Sequence, residues 1–258
     1  MNCNTLNAHE RDPYLEFDPE SHTYHLDGRE LKSVTTLVEE CFPQFDAPYW
    51  AARKALKEGV NPQVILDRWK REACRARDLG TMMHERIEHY YIELSRGVKP
   101  PLDTDDTDAF RLFSLFAANN HLHPYRTEWR IYHEGYGVAG TLDFLERTPA
   151  GSFNIYDWKR SRKLIEEPSG RIISTSTYRH QGTGLPPVSH LPDTSYWHYA
   201  LQLSIYRLIL EERYGIHISG MNLGVFHPAY SVPWIVKVPY LQEESMNVLN
   251  MVKACNIR

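Results

Sequence analysis

Three side chains near the middle of the chain have the chemistry to hold a metal and act on a phosphate. Asp143 ends the run Gly140-Thr141-Leu142-Asp143, and Asp157-Trp158-Lys159 ends the next strand-like run. Mg2+ prefers oxygen ligands, keeps several waters, and is commonly held by one or two carboxylates plus substrate phosphate. An ion so held neutralises phosphate charge and acidifies a bound water. A lysine beside it can orient or deprotonate that water, or stabilise the transition state as a cation. The sequence leaves those roles of Lys159 open.

Strand alternation has to bring these groups together. Residues 126–134, 136–146 and 152–159 read as three strands with period 2, joined at Gly135 and at Pro149-Ala150-Gly151. They form an antiparallel meander. Phe153, Ile155, Asp157 and Lys159 share one face, while Asn154, Tyr156 and Trp158 share the other. Ala139, Thr141, Asp143 and Leu145 share a face of the preceding strand, and Gly140 leaves room for close approach. Taken alone, Asp157 and Lys159 are more simply a surface salt bridge. A charged chain contains such triplets by accident, and Glu30-Leu31-Lys32 is one. The neighbouring strand with Asp143 is what favours a metal site.

Two helices flank that centre. In 78–95, Met82, Met83, Ile87, Tyr90 and Tyr91 supply an apolar stripe, with Thr81, His84 and Glu88 on another face. A lone helical histidine is more often structural than a ligand. In 196–214, closed by Gly215, the stripe is Leu201, Ile205, Leu208 and Ile209. Tyr199, Gln202 and Tyr206 follow a second line, and Gln202 and Tyr206 are i,i+4 neighbours. Alone, this pair reads as a packed tyrosine with a glutamine at its rim.

The remaining segments give an α/β order of elements. Residues 1–13 read as a loose tail. Short strands at 15–17, 22–26 and 29–33 follow, with a turn at Asp27-Gly28. Thr36 and Glu39 have capping-box spacing. Residues 49–60 and 62–77 read as separate helices, and 105–120 as another. Residues 47–78 hold eight Lys/Arg and four Asp/Glu, a solvated surface or a nucleic-acid groove. Trp50 and Trp69 read as core anchors. Residues 160–195 lose periodicity and open on Arg160, Arg162 and Lys163; they read as a mobile lid or a disordered loop. Strands at 217–227 and 233–239 and a helix at 241–254 complete the chain. The expected organisation is one domain, with the hairpin and N-terminal helices in 14–122 and the catalytic sheet in 123–258.

The 258 residues are 42% hydrophobic, enough for a sizeable core. The net charge of −4 gives no global basic field, so any nucleic-acid surface must be local. Cys3, Cys41, Cys74 and Cys255 are far apart in sequence, which excludes zinc-ribbon spacing and argues for free thiols. No long apolar run or signal-peptide pattern is present, so a cytoplasmic protein without membrane association is expected.

Four motifs in order then resemble a known family. They are Gly80-Thr81-Met82-Met83-His84, Gly140-Thr141-Leu142-Asp143, Asp157-Trp158-Lys159 and Gln202-Leu203-Ser204-Ile205-Tyr206. Together they resemble the RecB-like exonuclease branch of the PD-(D/E)xK nuclease superfamily, over roughly residues 14–210. The hairpin followed by Ser33-Val34-Thr35-Thr36 looks like the start of phage and mitochondrial members. The resemblance implies a restriction-endonuclease-like core, with a central mixed sheet flanked by helices. It implies that His84, Asp143, Asp157 and the Trp158 carbonyl bind Mg2+ or Mn2+, with Asp143, Asp157 and Lys159 catalytic and Lys159 serving the nucleophilic water. Gln202 and Tyr206 would position DNA or the lysine, with Thr81, Arg160 and Arg162 also toward nucleic acid and Glu128 as an outer-shell acid. With only Cys255 in the C-terminal third, the iron–sulfur cluster of some members is not expected. No P-loop is present, so a helicase or recombination partner would be a separate protein. The expected activity is metal-dependent DNA hydrolysis, from ends or single strands. An endonuclease on the same core, or a non-catalytic DNA-binding or assembly module, are the rivals.

Overall fold

The structure is a computed structural model and describes residues 1–101, 109–175 and 182–256. Helix α1 (Cys3–Leu6) and a 3-10 turn precede strands β1 (Leu15–Asp18), β2 (Thr23–Leu26) and β3 (Arg29–Ser33). Helices α2 (Val34–Glu40), α3 (Ala47–Glu58), α4 (Pro62–Ser95) and α5 (Ala109–Asn119) follow. Then come β4 (Pro124–His133), β5 (Val138–Arg147), β6 (Phe153–Lys159), β7 (Ile165–Glu166) and β8 (Arg171–Ile172). The chain ends with α6 (Ser195–Arg213), β9 (Ile218–Val225), β10 (Trp234–Lys237) and α7 (Gln242–Asn256).

The expected α/β class holds: a central mixed sheet is flanked by helices, compatible with a restriction-endonuclease-like core. Strands β4, β5 and β6 are antiparallel neighbours, and β6 pairs with β9 in parallel. The sheet branches at β5. One edge of β5 pairs with β4 over its whole length. The other edge is shared: β3 takes Val138 and Ala139 in parallel, while β6 takes Phe144 to Arg147. Residues 140–143 lie in the fork between them.

Aromatic packing fixes this fork in place. The Trp158 ring is buried, with the rings of Tyr91, Phe113, Phe116, Phe144, Tyr156 and Phe226 centred 5.5–6.3 Å away. Tyr91 belongs to α4 and Phe113 and Phe116 to α5, so these rings dock both helices on the sheet. Gly224, opposite Trp158 on β9, leaves room for it: a Cβ there would lie 2.5 Å from the indole.

Several sequence expectations need correction. The N-terminal residues are not a loose tail but a clasp on the outer edge of β4. The Asn4 side chain accepts from the Thr127 N–H (2.9 Å) and donates to the Thr127 carbonyl (3.1 Å), as a neighbouring strand would. Asn7 donates to the Tyr125 carbonyl at 2.9 Å, and Asp12 receives Arg126 and the Trp129 indole N–H. Helix α2 starts at Val34 after Ser33, without a side-chain cap, rather than from a box at Thr36. The two helices drawn over 62–77 and 78–95 are one continuous helix, because Gly80 costs too little to interrupt it. Met82 faces solvent instead of joining the apolar stripe, and Trp50 is exposed rather than a core anchor. Trp69 packs only in a satellite cluster with Ala51, Ala55 and Ile65.

The stretch 160–195 is not a flexible loop where it is described. Leu164, Ile165, Val188 and Leu191 are buried in the main core. Tyr230 donates to the Ile165 carbonyl (3.0 Å) and Trp197 to the Ser174 carbonyl (2.8 Å). Apolar anchors spaced too irregularly to show a period hold it down; 176–181 lie outside the described residues, as do 105–108 of the expected fifth helix.

Phe113→Ala should remove roughly 3–5 kcal/mol of stability, because its ring joins α5 to Trp158 and Phe226. Urea unfolding checks this; a loss under about 1 kcal/mol would show that α5 is not part of the cooperative core.

Candidate metal centre

The fork between β3 and β6 creates the site. Past Tyr156, β6 leaves β5, and the N–H of Trp158 loses the strand partner it would otherwise have. The Asp143 carboxylate takes that N–H at 2.8 Å. A side chain thus fills the place of a backbone acceptor and is fixed in direction by it. Tyr206 from α6 closes the back of the fork: a Cβ on Gly140 would lie 2.5 Å from the Tyr206 ring and 2.8 Å from its hydroxyl. The space expected at Gly140 therefore admits an aromatic ring rather than a backbone. Tyr24 adds a hydrogen bond to Thr141 at 2.9 Å.

His84 enters from α4. Its Nε2 lies 2.8 Å from the Trp158 carbonyl, which can only accept, so Nε2 carries a proton. The opposite nitrogen, Nδ1, stands 3.5 Å from Asp143 Oδ2 and 3.6 Å from Glu128 Oε1. Glu128 sits on β4 opposite Asp143 with φ +44°. That left-handed backbone costs a non-glycine residue on the order of 1–3 kcal/mol, and such strain clusters at functional sites. His84, Glu128 and Asp143 are the donor group that could hold a metal ion among the described residues. Their donor atoms all lie within 4.8 Å of one another, somewhat wider than the roughly 3.0–3.4 Å between two ligands each about 2.1 Å from one ion, so a bound ion would draw them together.

Electrostatics support that fit. Burial disfavours a charged imidazole, but Asp143 and then Glu128 outweigh it and hold the His84 pKa up at about 9. In the metal-free protein a proton on His84 supplies the positive charge between the two acids. Burial raises the Asp143 pKa, with Glu128 adding to the effect and His84 opposing it.

Asp157 and Lys159 lie beside this group as an ion pair, Nζ to Oδ2 2.7 Å. Burial pushes Asp157 up to about 6 against the pull of Lys159. Burial works against a charged Lys159, yet Asp157 and the Tyr199 side chain more than compensate, so its pKa is raised. Its ammonium rests 4.3 Å from the centre of the Tyr199 ring. Lys159 is therefore a cation in this state.

The structure thus brings His84, Asp143 and Glu128 together, with Glu128 nearly as close to His84 as Asp143 is. Two placements differ from expectation. The Trp158 carbonyl faces Nε2, on the side of the ring away from the acids, where it sets the tautomer. Asp157 is engaged by Lys159 and stands outside the donor group. Tyr206 is 2% exposed, too buried to touch a nucleic acid. It receives a hydrogen bond from Gln202 Nε2 at 3.2 Å and acts by packing on the fork. Thr81 lies on the exposed flank of α4, three residues before His84. Arg162 is exposed and Arg160 half-buried just after β6. Sequence reading passed over Tyr24, which only the fold brings near, and gave Tyr199 no role although it shares the helical line of Gln202 and Tyr206. Glu128 carried one signal, an acid opposite Asp143 in the antiparallel register.

No family model matches the chain, and no curated protein matches it. Among solved structures, one of SSO0001 is similar at 15% identity and a TM-score of 0.38, covering 90% of this chain and 79% of that one. A candidate exonuclease from Eubacterium rectale is similar at 13% identity and a TM-score of 0.37, covering 88% and 83%. Likeness at this level lends no chemistry to the chain, and the site's own geometry has to carry it.

Two outcomes follow from the geometry. A His84 pKa raised from 6.5 to about 9 contributes stability that is complete below pH 6.5 and lost as pH rises through about 9. The melting temperature of protein in EDTA should fall across that window, and His84→Ala should flatten the fall. Bound Mn2+, taking the place of the proton, should reverse the trend, and calorimetry should show proton release on binding. Separately, Gly140→Ala should force Tyr206 out of the fork at a cost of roughly 1–3 kcal/mol and weaken Mn2+ binding. Unchanged melting and binding would mean the ring does not position Asp143.

Proposed function

We propose that this protein is a divalent-metal-dependent DNA nuclease that hydrolyses phosphodiester bonds, as an exonuclease on DNA ends or single strands. The observation that carries the reading is the cluster of His84, Glu128 and Asp143 with the Asp157–Lys159 pair at its side, in a fork of the sheet. The motif resemblance to RecB-like PD-(D/E)xK nucleases supports it.

His84, Glu128 and Asp143 would hold Mg2+ or Mn2+, with Asp157 joining them on the same ion once Lys159 shifts. Such an ion, when bound, supplies charge neutralisation at phosphate and acidifies water. The chain's own residues do the rest. The Trp158 carbonyl keeps the proton of His84 on Nε2 and leaves Nδ1 for coordination. Asp143 is held in direction by the Trp158 N–H, so it need not reorganise. Lys159, beside the cluster, would lie close to the negative charge that builds on a reacting phosphoryl group. As a cation it would stabilise that charge. His84 and Glu128 are the more exposed members and Asp157 the most buried, so substrate enters over the histidine side.

Mg2+- or Mn2+-dependent cleavage of end-labelled linear DNA is expected, with closed circular DNA left intact. Lys159→Ala and Asp157→Asn should each reduce the rate by at least about a hundredfold without unfolding the protein. An inert wild type on linear duplex, single-stranded and flapped DNA would sink the enzymatic reading. Cleavage of the closed circle would turn it to an endonuclease, and full activity in both variants would move the active site elsewhere.

A further inference from the structure

The hairpin of α3 and the first half of α4 stands apart from the body. Its own small core is Ala51, Ala55 and Ile65, with Leu66 and Trp69 at the rim, separate from the main cluster. Beyond that core, residues 70–78 of α4 are exposed except Cys74. A helix bare on nearly all sides is a shaft through solvent rather than a packed element.

Charge on the molecule is divided unequally. Residues 47–78 hold eight Lys/Arg and four Asp/Glu, a net of +4, whereas the whole chain carries −4. The rest of the chain therefore carries −8. The positive side chains along the shaft include Lys70 and Arg77. They precede His84 by fourteen and seven residues, which places them within about 40° of it on the helix surface. The basic line thus runs down α4 to the metal cluster.

At the upper end lies an exposed aromatic group. Tyr49 is 50% exposed and Trp50 37%, with ring centres 5.2 Å apart in an edge-on pair. The Arg53 guanidinium lies 5.7 Å from the Tyr49 ring centre and 5.6 Å from that of Trp50, and donates to the Tyr49 hydroxyl at 3.0 Å. These rings fill no core. Burial would be worth about 1.5–3 kcal/mol for a side chain of this kind, so their exposure calls for a partner. Aromatic faces interleaved with guanidinium and ammonium groups suit unpaired bases and their phosphates, and duplex bases are already stacked.

We propose that the α3–α4 hairpin is a single-strand guide. Tyr49, Trp50 and Arg53 stack unpaired bases, and Lys70 and Arg77 lead the phosphates toward His84. The inference rests on the nuclease reading for what happens at the strand's end, but its binding step stands by itself. Trp69, at the level of the platform, precedes His84 by fifteen residues, about 22 Å of helix. At about 3.4 Å per stacked nucleotide this separation is roughly six nucleotides.

Fluorescence anisotropy of labelled oligothymidylate with the full chain, in EDTA so that nothing is cleaved, tests the guide. The Tyr49→Ala/Trp50→Ala variant should bind a strand of about 16 nucleotides at least about tenfold more weakly than wild type. Tyr49→Phe/Trp50→Phe should restore binding, and a strand of about four nucleotides should show no difference. Mn2+ affinity and thermal melting should be unchanged in both variants, since the rings lie outside the core. Lys70→Glu/Arg77→Glu should weaken binding and flatten its salt dependence. Wild-type affinity in the alanine variant, or no binding of the strand by the wild type, overturns the guide. Ring-dependent binding in EDTA, with no cleavage of the same strand in a parallel assay in Mg2+ or Mn2+, overturns the nuclease reading and leaves the guide standing.

Discussion

A strand has one hydrogen-bonding edge on each side, and β5 divides one of its edges between two partners. β3 holds its beginning and β6 its end, so the residues between them must satisfy the fork with side chains. Most of the site is a consequence of that constraint. Asp143 turns inward because the Trp158 N–H has lost a backbone acceptor. Gly140 is bare because Tyr206 occupies the wedge. Glu128 adopts a left-handed backbone on the opposite strand, directly across from Asp143. The aromatic cluster around Trp158 then resists closure of the fork, since zipping β6 onto β5 would drag a fully packed indole with it.

Charge is arranged around the same fork in two compartments. The first holds His84 between two acids, where a proton and a metal ion are alternatives for one position of positive charge. The second holds Lys159 against Asp157 under the face of Tyr199, where the paired acid favours the positive charge. Burial alone would neutralise every one of these groups. Mutual pairing opposes that, and it binds the arrangement of each to that of the others. The outlying basic hairpin offsets the acidity of the body without entering this balance.

Much of this was readable from the chain. Period-2 alternation located β4, β5 and β6, and placed Asp157 with Lys159 opposite Trp158 on neighbouring faces. Motif order placed His84, on a helix, near a strand pair remote in sequence. The fork itself was not readable, because alternation reports faces and not the partner on each edge. For that reason Asp157 was expected in the donor group and Glu128 outside it. The ordered part of 160–195 escaped notice because Leu164, Ile165, Val188 and Leu191 pack individually and follow no repeat. The N-terminal clasp was hidden because it works through asparagine side chains, and polar residues near a terminus look like solvated chain. Trp50 failed in the opposite direction: size suggests burial, but a helical hairpin with an alanine core has no room for an indole.

The asparagine clasp has a kinetic side. Asn4 meets Thr127, a partner 123 residues further along, and Asn7 meets Tyr125. During synthesis Asn4 and Asn7 leave the ribosome long before the strand they cover exists. Until then they remain unpaired, and the outer edge of β4, once made, is open to any other strand until they arrive. Closing so long a loop is slow relative to forming the local β4–β5 hairpin. The last step in assembling the Glu128 strand is therefore the return of a segment made 123 residues before the edge it covers.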